Sequence, residues 1–137
     1  MFRYDHEVAI DVSAQVRYWR DGSADDLEAA EALLNAGKIR QAAFFVHLSI
    51  EKTLKARAVQ STGDLAPRSH DLLFLAHRAG ITLAESQKDF LGRMQLYCLE
   101  GRYPTEMPPA PTARAVTDDL HQAAEVIRWL TSPLSSP

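Results

Sequence analysis

The chain has 137 residues, a 46% apolar fraction and a net charge of −3, with a pI of about 5.9. These values predict one globular domain, and they exclude a protein that binds nucleic acid over its whole surface, although a local basic patch is compatible with them. The lone cysteine, Cys98, excludes an internal disulfide and Cys-rich zinc sites. No apolar run approaches the roughly 20 residues that span a bilayer, and the charged N-terminus lacks a signal-peptide core, so we expect a soluble cytoplasmic protein without membrane partners.

Apolar residues recur at helical spacing over most of the chain, and no segment shows the alternation of a strand. We therefore expect a single all-α domain over residues 1–137, with an N-terminal extension over 1–11 and a frayed tail over 132–137. The predicted helices cover residues 12–36, 38–60, 70–79, 84–100 and 112–131. A proline-rich segment that cannot be helical separates the last two.

The first helix contains an interruption, Gly22-Ser23. Ser23 and Asp26 could form a capping box that starts a new helix at this point. One continuous helix is favoured, because the apolar stripe keeps its phase from Trp19 to Leu34. The acidic first helix and the basic second helix are expected to pair as an antiparallel hairpin.

The second helix is apolar around much of its circumference. Phe44, Phe45 and Leu48 lie off its main stripe, and one hairpin partner in a small domain cannot cover them all. Such a helix is central to the fold or shares a face with a second copy. We therefore predict a homodimer.

Polar residues of the second helix form the first group of site candidates. Arg40, His47 and Glu51 lie along one face, where a guanidinium, an imidazole and a carboxylate could bind a phosphate and move protons. The simpler interpretation is a half-buried His47 that bonds Glu51 one turn away. Glu51, Lys52 and Lys55 form either an ordinary ion pair on the helix surface or a cation set for phosphate.

Two further segments are candidates. His70 begins the third predicted helix behind a Ser69 cap, where it either contacts an anion or packs against the second helix. Arg102-Tyr103-Pro104 offers a planar fork and a stacking ring. The alternative is that Tyr103 fills the core while Arg102 caps helix four. No residue spacing resembles a metal site, so we expect no metal and no cofactor.

Taken in order, these segments resemble the HEPN domain family, a group of small prokaryotic helical proteins. The segments are Trp19, Asp26-Leu27, Ala30, Leu33-Leu34, Gly37, Ala42-Ala43-Phe44, residues 50–56, Ser69-His70-Asp71-Leu72 and Gly101-Arg102-Tyr103-Pro104.

The resemblance implies an up-and-down bundle of four to five helices that usually forms homodimers. It also implies partnership with a minimal nucleotidyltransferase, commonly in toxin–antitoxin pairs. Many family members are metal-independent ribonucleases that carry an Arg followed four to six residues later by a His. Here the next histidine after Arg102 is His121. The Arg-Tyr-Pro type implies a nucleotide- or partner-binding module, and a metal-independent endoribonuclease toxin is the alternative.

These observations predict a composite site at one pole of the bundle. Arg102 and Tyr103 would meet His70 and Lys55 there, and a nucleotide or RNA would be the ligand. The remaining candidates are Lys52 and Glu51, with Arg40 and His47 as weaker ones.

Overall fold

The helical pattern of the sequence corresponds to five α-helices in the part of the chain that the structure describes, residues 9–132 of a computed structural model. They are α1 Val12–Asn35, α2 Ile39–Thr62, α3 Leu72–Arg78, α4 Glu85–Gln95 and α5 Ala113–Thr131, with a short 3₁₀ turn at Pro104–Glu106. No strand occurs within these described residues. The all-α class and the helical bundle are confirmed. Of the predicted N-terminal extension and C-terminal tail, only residues 9–11 and 132 fall inside the described range.

Helix α1 runs without a break through Gly22, as predicted. A Cβ added at Gly22 would lie 3.0 Å from Cδ of Lys52, so the glycine leaves room for the lysine stem against α1. Ser23 is buried inside the helix pair and is not a cap. Its hydroxyl donates to the Ser49 carbonyl at 2.6 Å and lies 2.6 Å from the hydroxyl of Thr53, which joins α1 to α2.

Helices α1 and α2 form an antiparallel hairpin. Asp26 of α1 pairs with Lys52 of α2 at 2.8 Å, and Trp19, two turns earlier in α1, meets Lys55, one turn later in α2. Contacts that run forward on one helix and backward on the other define the antiparallel arrangement. The expected meeting of acidic and basic faces is confirmed at the Asp26–Lys52 pair.

Helix α2 is the central element, because it contacts each of the other four α-helices. Its stripe of Val46, Ile50 and Leu54 is fully buried. Around this stripe pack Ala30 of α1, Leu72 and Leu75 of α3, Phe90 and Met94 of α4, and Val116, Ala123 and Leu130 of α5. The burial of these apolar side chains stabilises the bundle.

Two of the helix boundaries that differ from the prediction lie beside the candidate site residues. Helix α3 begins at Leu72, not at His70, because Asp71 is its N-cap and accepts from the backbone N–H of Phe74 at 3.1 Å. Helix α4 ends at Gln95, not at residue 100. Its last turn tightens to i→i−3 bonds, and the hydroxyl of Tyr97 donates to Asp119 of α5 at 2.6 Å. Periodicity detects neither the tightening nor the contact with α5.

Candidate functional site

A buried carboxylate, Glu51 of α2, is the centre of the candidate site. Oε1 of Glu51 lies 3.2 Å from Nε2 of His47 and 3.0 Å from Nδ1 of His70, and Oε2 accepts from Nζ of Lys55 at 3.0 Å. We call these four residues the Glu51 cluster. The i,i+4 contacts of Glu51 with His47 and Lys55 match the simpler sequence interpretation, but they are buried and do not lie on the helix surface.

His47 is fully enclosed at the base of the cluster. Its Nδ1 lies 3.3 Å from the carbonyl oxygen of Met94, so both ring nitrogens face acceptors. A neutral imidazole can donate only one of these two bonds, whereas the imidazolium donates both. The ring also stacks on Phe44, with centroids 6.3 Å apart. With no exposed surface, His47 supports the site and does not contact a ligand in this arrangement.

His70 is the member of the cluster that reaches solvent, with 47% of its side chain exposed. It precedes α3, and its ring is directed to Glu51. Gln95 at the end of α4 fixes the backbone here, because its amide donates to the His70 carbonyl at 3.0 Å and accepts from the Leu72 N–H at 2.9 Å. The Asp71 carboxylate caps the start of α3, and His70 contacts the second helix through Glu51, so a ligand contact of His70 stays a prediction.

Lys55 is enclosed between Glu51 and an aromatic ring. Its ammonium lies 5.0 Å from the centroid of Trp19 of α1, within the range of a cation–π contact. Only 9% of the lysine side chain is exposed. Lys55 therefore neutralises the carboxylate and holds α1 against the cluster, and it is not a free cation for phosphate.

The electrostatics of the cluster favour an ionised Glu51. Burial by itself raises the pKa of this carboxyl, because a charge is poorly solvated inside the protein. The hydrogen bonds from His47, His70 and Lys55, together with the lysine charge, more than offset that effect and lower the pKa to about 2. The cluster therefore holds an ionised carboxylate beside the Lys55 ammonium at neutral pH.

Arg102 and Tyr103 lie in the segment that follows α4. Nε of Arg102 donates to the Cys98 carbonyl at 2.7 Å, and its Nη nitrogens have no hydrogen-bond partner in the described part of the chain. Tyr103 is 70% exposed, so the interpretation that it fills the core is wrong.

Burial raises the pKa of the Cys98 thiol. The charge of Glu51 raises this pKa further, whereas the charge of Arg102 lowers it.

Two of the predicted candidates are directed elsewhere. Lys52 is bound to Asp26 of α1 and takes no part in the Glu51 cluster. Arg40 donates to the Pro108 carbonyl at 3.1 Å and lines an apolar cavity of about 260 Å³ beside the prolines. The face that Arg40 shares with His47 in the helix pattern therefore does not produce a joint phosphate site.

Two residues of the site were missed by the sequence reasoning. Trp19 fits the apolar stripe of α1, so nothing in its spacing separates it from an ordinary core residue. Gln95 follows the stripe residue Met94 as an unremarkable polar position. Their roles depend on contacts with Lys55 and with the backbone around His70, which only the packing of different helices creates.

The described residues contain no group of three or more His, Cys, Asp or Glu side chains arranged to hold a metal ion. Within the same range, no helix combines the length and the apolar character that crossing a membrane requires.

The model of the HEPN domain matches residues 16–132, which is most of the chain. The protein belongs to the HEPN domain family. This family is known for roles that involve nucleotides or RNA. No curated protein and no solved structure matches the chain.

The depressed pKa of Glu51 predicts how acid affects stability. The ordinary pKa of 4.5 applies to the unfolded chain and about 2 to the folded one, so the unfolded state binds the proton first as the pH falls. The stabilisation is fully present above about pH 4.5 and is lost towards pH 2, with a magnitude of about 3 kcal/mol. Denaturant unfolding followed at several pH values measures this loss.

Glu51→Gln is expected to flatten that acid dependence and to lower the free energy of unfolding at neutral pH, because His47 and Lys55 lose their buried partner. Glu125→Gln is the matched control, since Glu125 is exposed on α5. An acid dependence in Glu51→Gln equal to that of the unchanged protein would contradict this account.

Proposed function

We propose that this HEPN protein is a nucleotide- or partner-binding helical module that acts with a minimal nucleotidyltransferase in a cytoplasmic, toxin–antitoxin-like pair. The observation that carries the proposal is that some candidate residues form a buried base, whereas others are accessible to a ligand. The base of the site is a buried, charge-neutralised cluster around Glu51, whereas His70 and Tyr103 are exposed and the Nη nitrogens of Arg102 have no hydrogen-bond partner among residues 9–132. A nucleotidyltransferase gene beside the gene for this chain would support the pairing.

The chemistry of the accessible groups suits a nucleotide. The guanidinium of Arg102 is already oriented by the Cys98 carbonyl, so its free edge can engage a phosphate with little loss of side-chain freedom. The ring of Tyr103 offers a surface on which a base can stack. His70, tethered to Glu51 through Nδ1, leaves its other ring nitrogen available for a ligand. Convergence of these three groups on one ligand is part of the proposal.

Binding is favoured over RNA cleavage by the placement of the histidines. Metal-independent cleavage needs an accessible acid–base group beside the arginine. His47 is fully buried, and His121 lines another cavity, with Glu31 and Leu34 of α1. His70 is the remaining candidate, and its bond to the Glu51 carboxylate gives it a positioning partner. Cleavage therefore remains the alternative that the next experiment distinguishes.

Arg102→Ala is expected to weaken the binding of ATP or AMP by at least about tenfold, the loss of one charge-assisted contact. The nucleotide-induced rise in melting temperature should disappear, while the melting temperature without ligand changes little. Titration calorimetry and thermal unfolding with and without nucleotide measure the two effects.

Arg114→Ala removes the same charge from an exposed position on α5 and serves as the control. Equal nucleotide affinity in the Arg102 variant and the unchanged protein would contradict the binding site. A large loss of stability without ligand would show that Arg102 is structural. Metal-independent RNA cleavage that is lost in Arg102→Ala would favour the ribonuclease alternative.

We also propose that the protein is a homodimer, and helix α2 supplies the reason. Phe44 and Leu48 stay only half-buried in the single chain, whereas Phe45 packs against the core. Two neighbouring large apolar side chains on the central helix are suited to an interface with a second copy.

Leu48→Glu is expected to shift the protein from a dimer to a monomer, because it places a charge in the apolar interface. Sedimentation equilibrium at a protein concentration on the order of tens of micromolar measures the molecular mass in solution. Leu65→Glu, at a more exposed loop position, should leave the dimer intact. A monomeric mass for the unchanged protein would contradict the proposal.

A further inference from the structure

A third cavity lies between α1, α2 and α5, away from the Glu51 cluster. Its volume is about 310 Å³, and its lining includes Arg20, Leu27, Thr53, Ile127 and Arg128. Thr53 is two residues from Glu51, which places it about 200° around α2. The cavity and the candidate nucleotide site therefore lie on opposite faces of the central helix.

Two arginines line this cavity, and neither has an acidic partner among the residues that the structure describes. Neither Arg20 nor Arg128 forms a side-chain hydrogen bond or an ion pair in the described part of the chain. The described ion pairs of the protein instead use Lys52, Lys55, Arg93 and two histidines. Two cations that face one cavity without carboxylates favour an anion there.

A third arginine lies close to Arg20. Arg57 is buried and donates to the Leu130 carbonyl at 2.8 Å. Burial lowers the pKa of Arg57, and the charge of Arg20 lowers it further. The charge of Arg20 is therefore felt inside the bundle, and an anion beside Arg20 would relieve this repulsion.

The rest of the cavity lining is mostly apolar. Leu27 of α1 and Ala124 and Ile127 of α5 provide aliphatic surface. The hydroxyls of Ser23 and Thr53 also line the cavity, but they are bonded to each other and to the Ser49 carbonyl. The lining is thus amphipathic, with cationic groups and an aliphatic wall.

We propose that this cavity binds a small organic anion, with its charged head between Arg20 and Arg128 and its apolar body against Leu27, Ala124 and Ile127. The volume supports a small molecule over a peptide or a nucleic acid strand, because about 300 Å³ is the lower end of the range for small-ligand pockets. The head is a phosphate or a carboxylate, either of which the arginine fork binds in two-point fashion. This proposal does not depend on the nucleotide site.

Phenyl phosphate and phenylacetate are the probes for the two head groups, and titration followed by ¹⁵N NMR measures binding. We expect saturable binding of at least one probe, with shifts at the amides of Ala24 and Ala124. Benzyl alcohol, which lacks the charge, and inorganic phosphate, which lacks the apolar body, should each bind at least about tenfold more weakly.

Arg20→Gln and Arg128→Gln are each expected to weaken the better probe by about tenfold. Arg114→Gln is the matched control, since it removes the same charge from the same helix about 21 Å from position 128. Ala24→Leu should also weaken the binding of the better probe, because a larger apolar side chain at this lining position fills part of the cavity.

Three outcomes would overturn the proposal. The first is that neither phenyl phosphate nor phenylacetate binds saturably. This outcome counts against the proposal even if an acidic peptide binds to the cavity. The second is an equal loss of affinity in Arg114→Gln, which would indicate nonspecific charge attraction. The third is unchanged probe affinity in both arginine variants, each shown by its NMR spectrum to be folded.

Discussion

The structure depends on neutralising one buried carboxylate. A charge such as that of Glu51 costs several kcal/mol to remove from water unless cationic or hydrogen-bonding partners surround it. The partners here come from more than one element: His47 and Lys55 from α2 itself, and His70 from the segment before α3. Meeting this requirement fixes how that segment lies against the central helix.

The same requirement extends to two further helices through the residues that contact Glu51. The second nitrogen of His47 lies at the Met94 carbonyl of α4, and Lys55 lies over Trp19 of α1. Gln95 of α4 then holds the backbone on both sides of Asp71. The exposed part of His70 is therefore placed by a buried base that several hydrogen bonds hold together, which is the condition for a pre-organised binding site.

Much of the fold follows from the sequence, for physical reasons that are specific to each helix. The 3.6-residue period of the apolar positions is a local property, so it predicted five helices and the continuity of α1 through Gly22. The i,i+4 contacts of Glu51 with His47 and Lys55 were equally predictable, because the geometry of a single helix creates them. The family resemblance, drawn from ordered short segments, agrees with the match to residues 16–132.

The parts that the sequence did not predict depend on contacts between elements. The periodicity places Arg40 and His47 on one side of α2, but it does not show that Arg40 is directed to the Pro108 carbonyl. The cap at Asp71, the early end of α4 and the roles of Trp19 and Gln95 likewise arise where one segment meets another. Arg20 and Arg128 are 108 residues apart in sequence and share a cavity only in the folded chain.

A double-mutant cycle between Glu51 and His70 measures whether the buried carboxylate positions the histidine. The free energies of unfolding of Glu51→Gln, His70→Ala and the double variant would be compared with that of the unchanged protein. We expect an interaction energy of about 0.5–3 kcal/mol, because the two residues share a part-buried hydrogen bond. His77→Ala, on the exposed side of α3, should be additive with Glu51→Gln. Additivity of the Glu51 and His70 variants within about 0.3 kcal/mol would contradict the claim that the buried carboxylate positions His70.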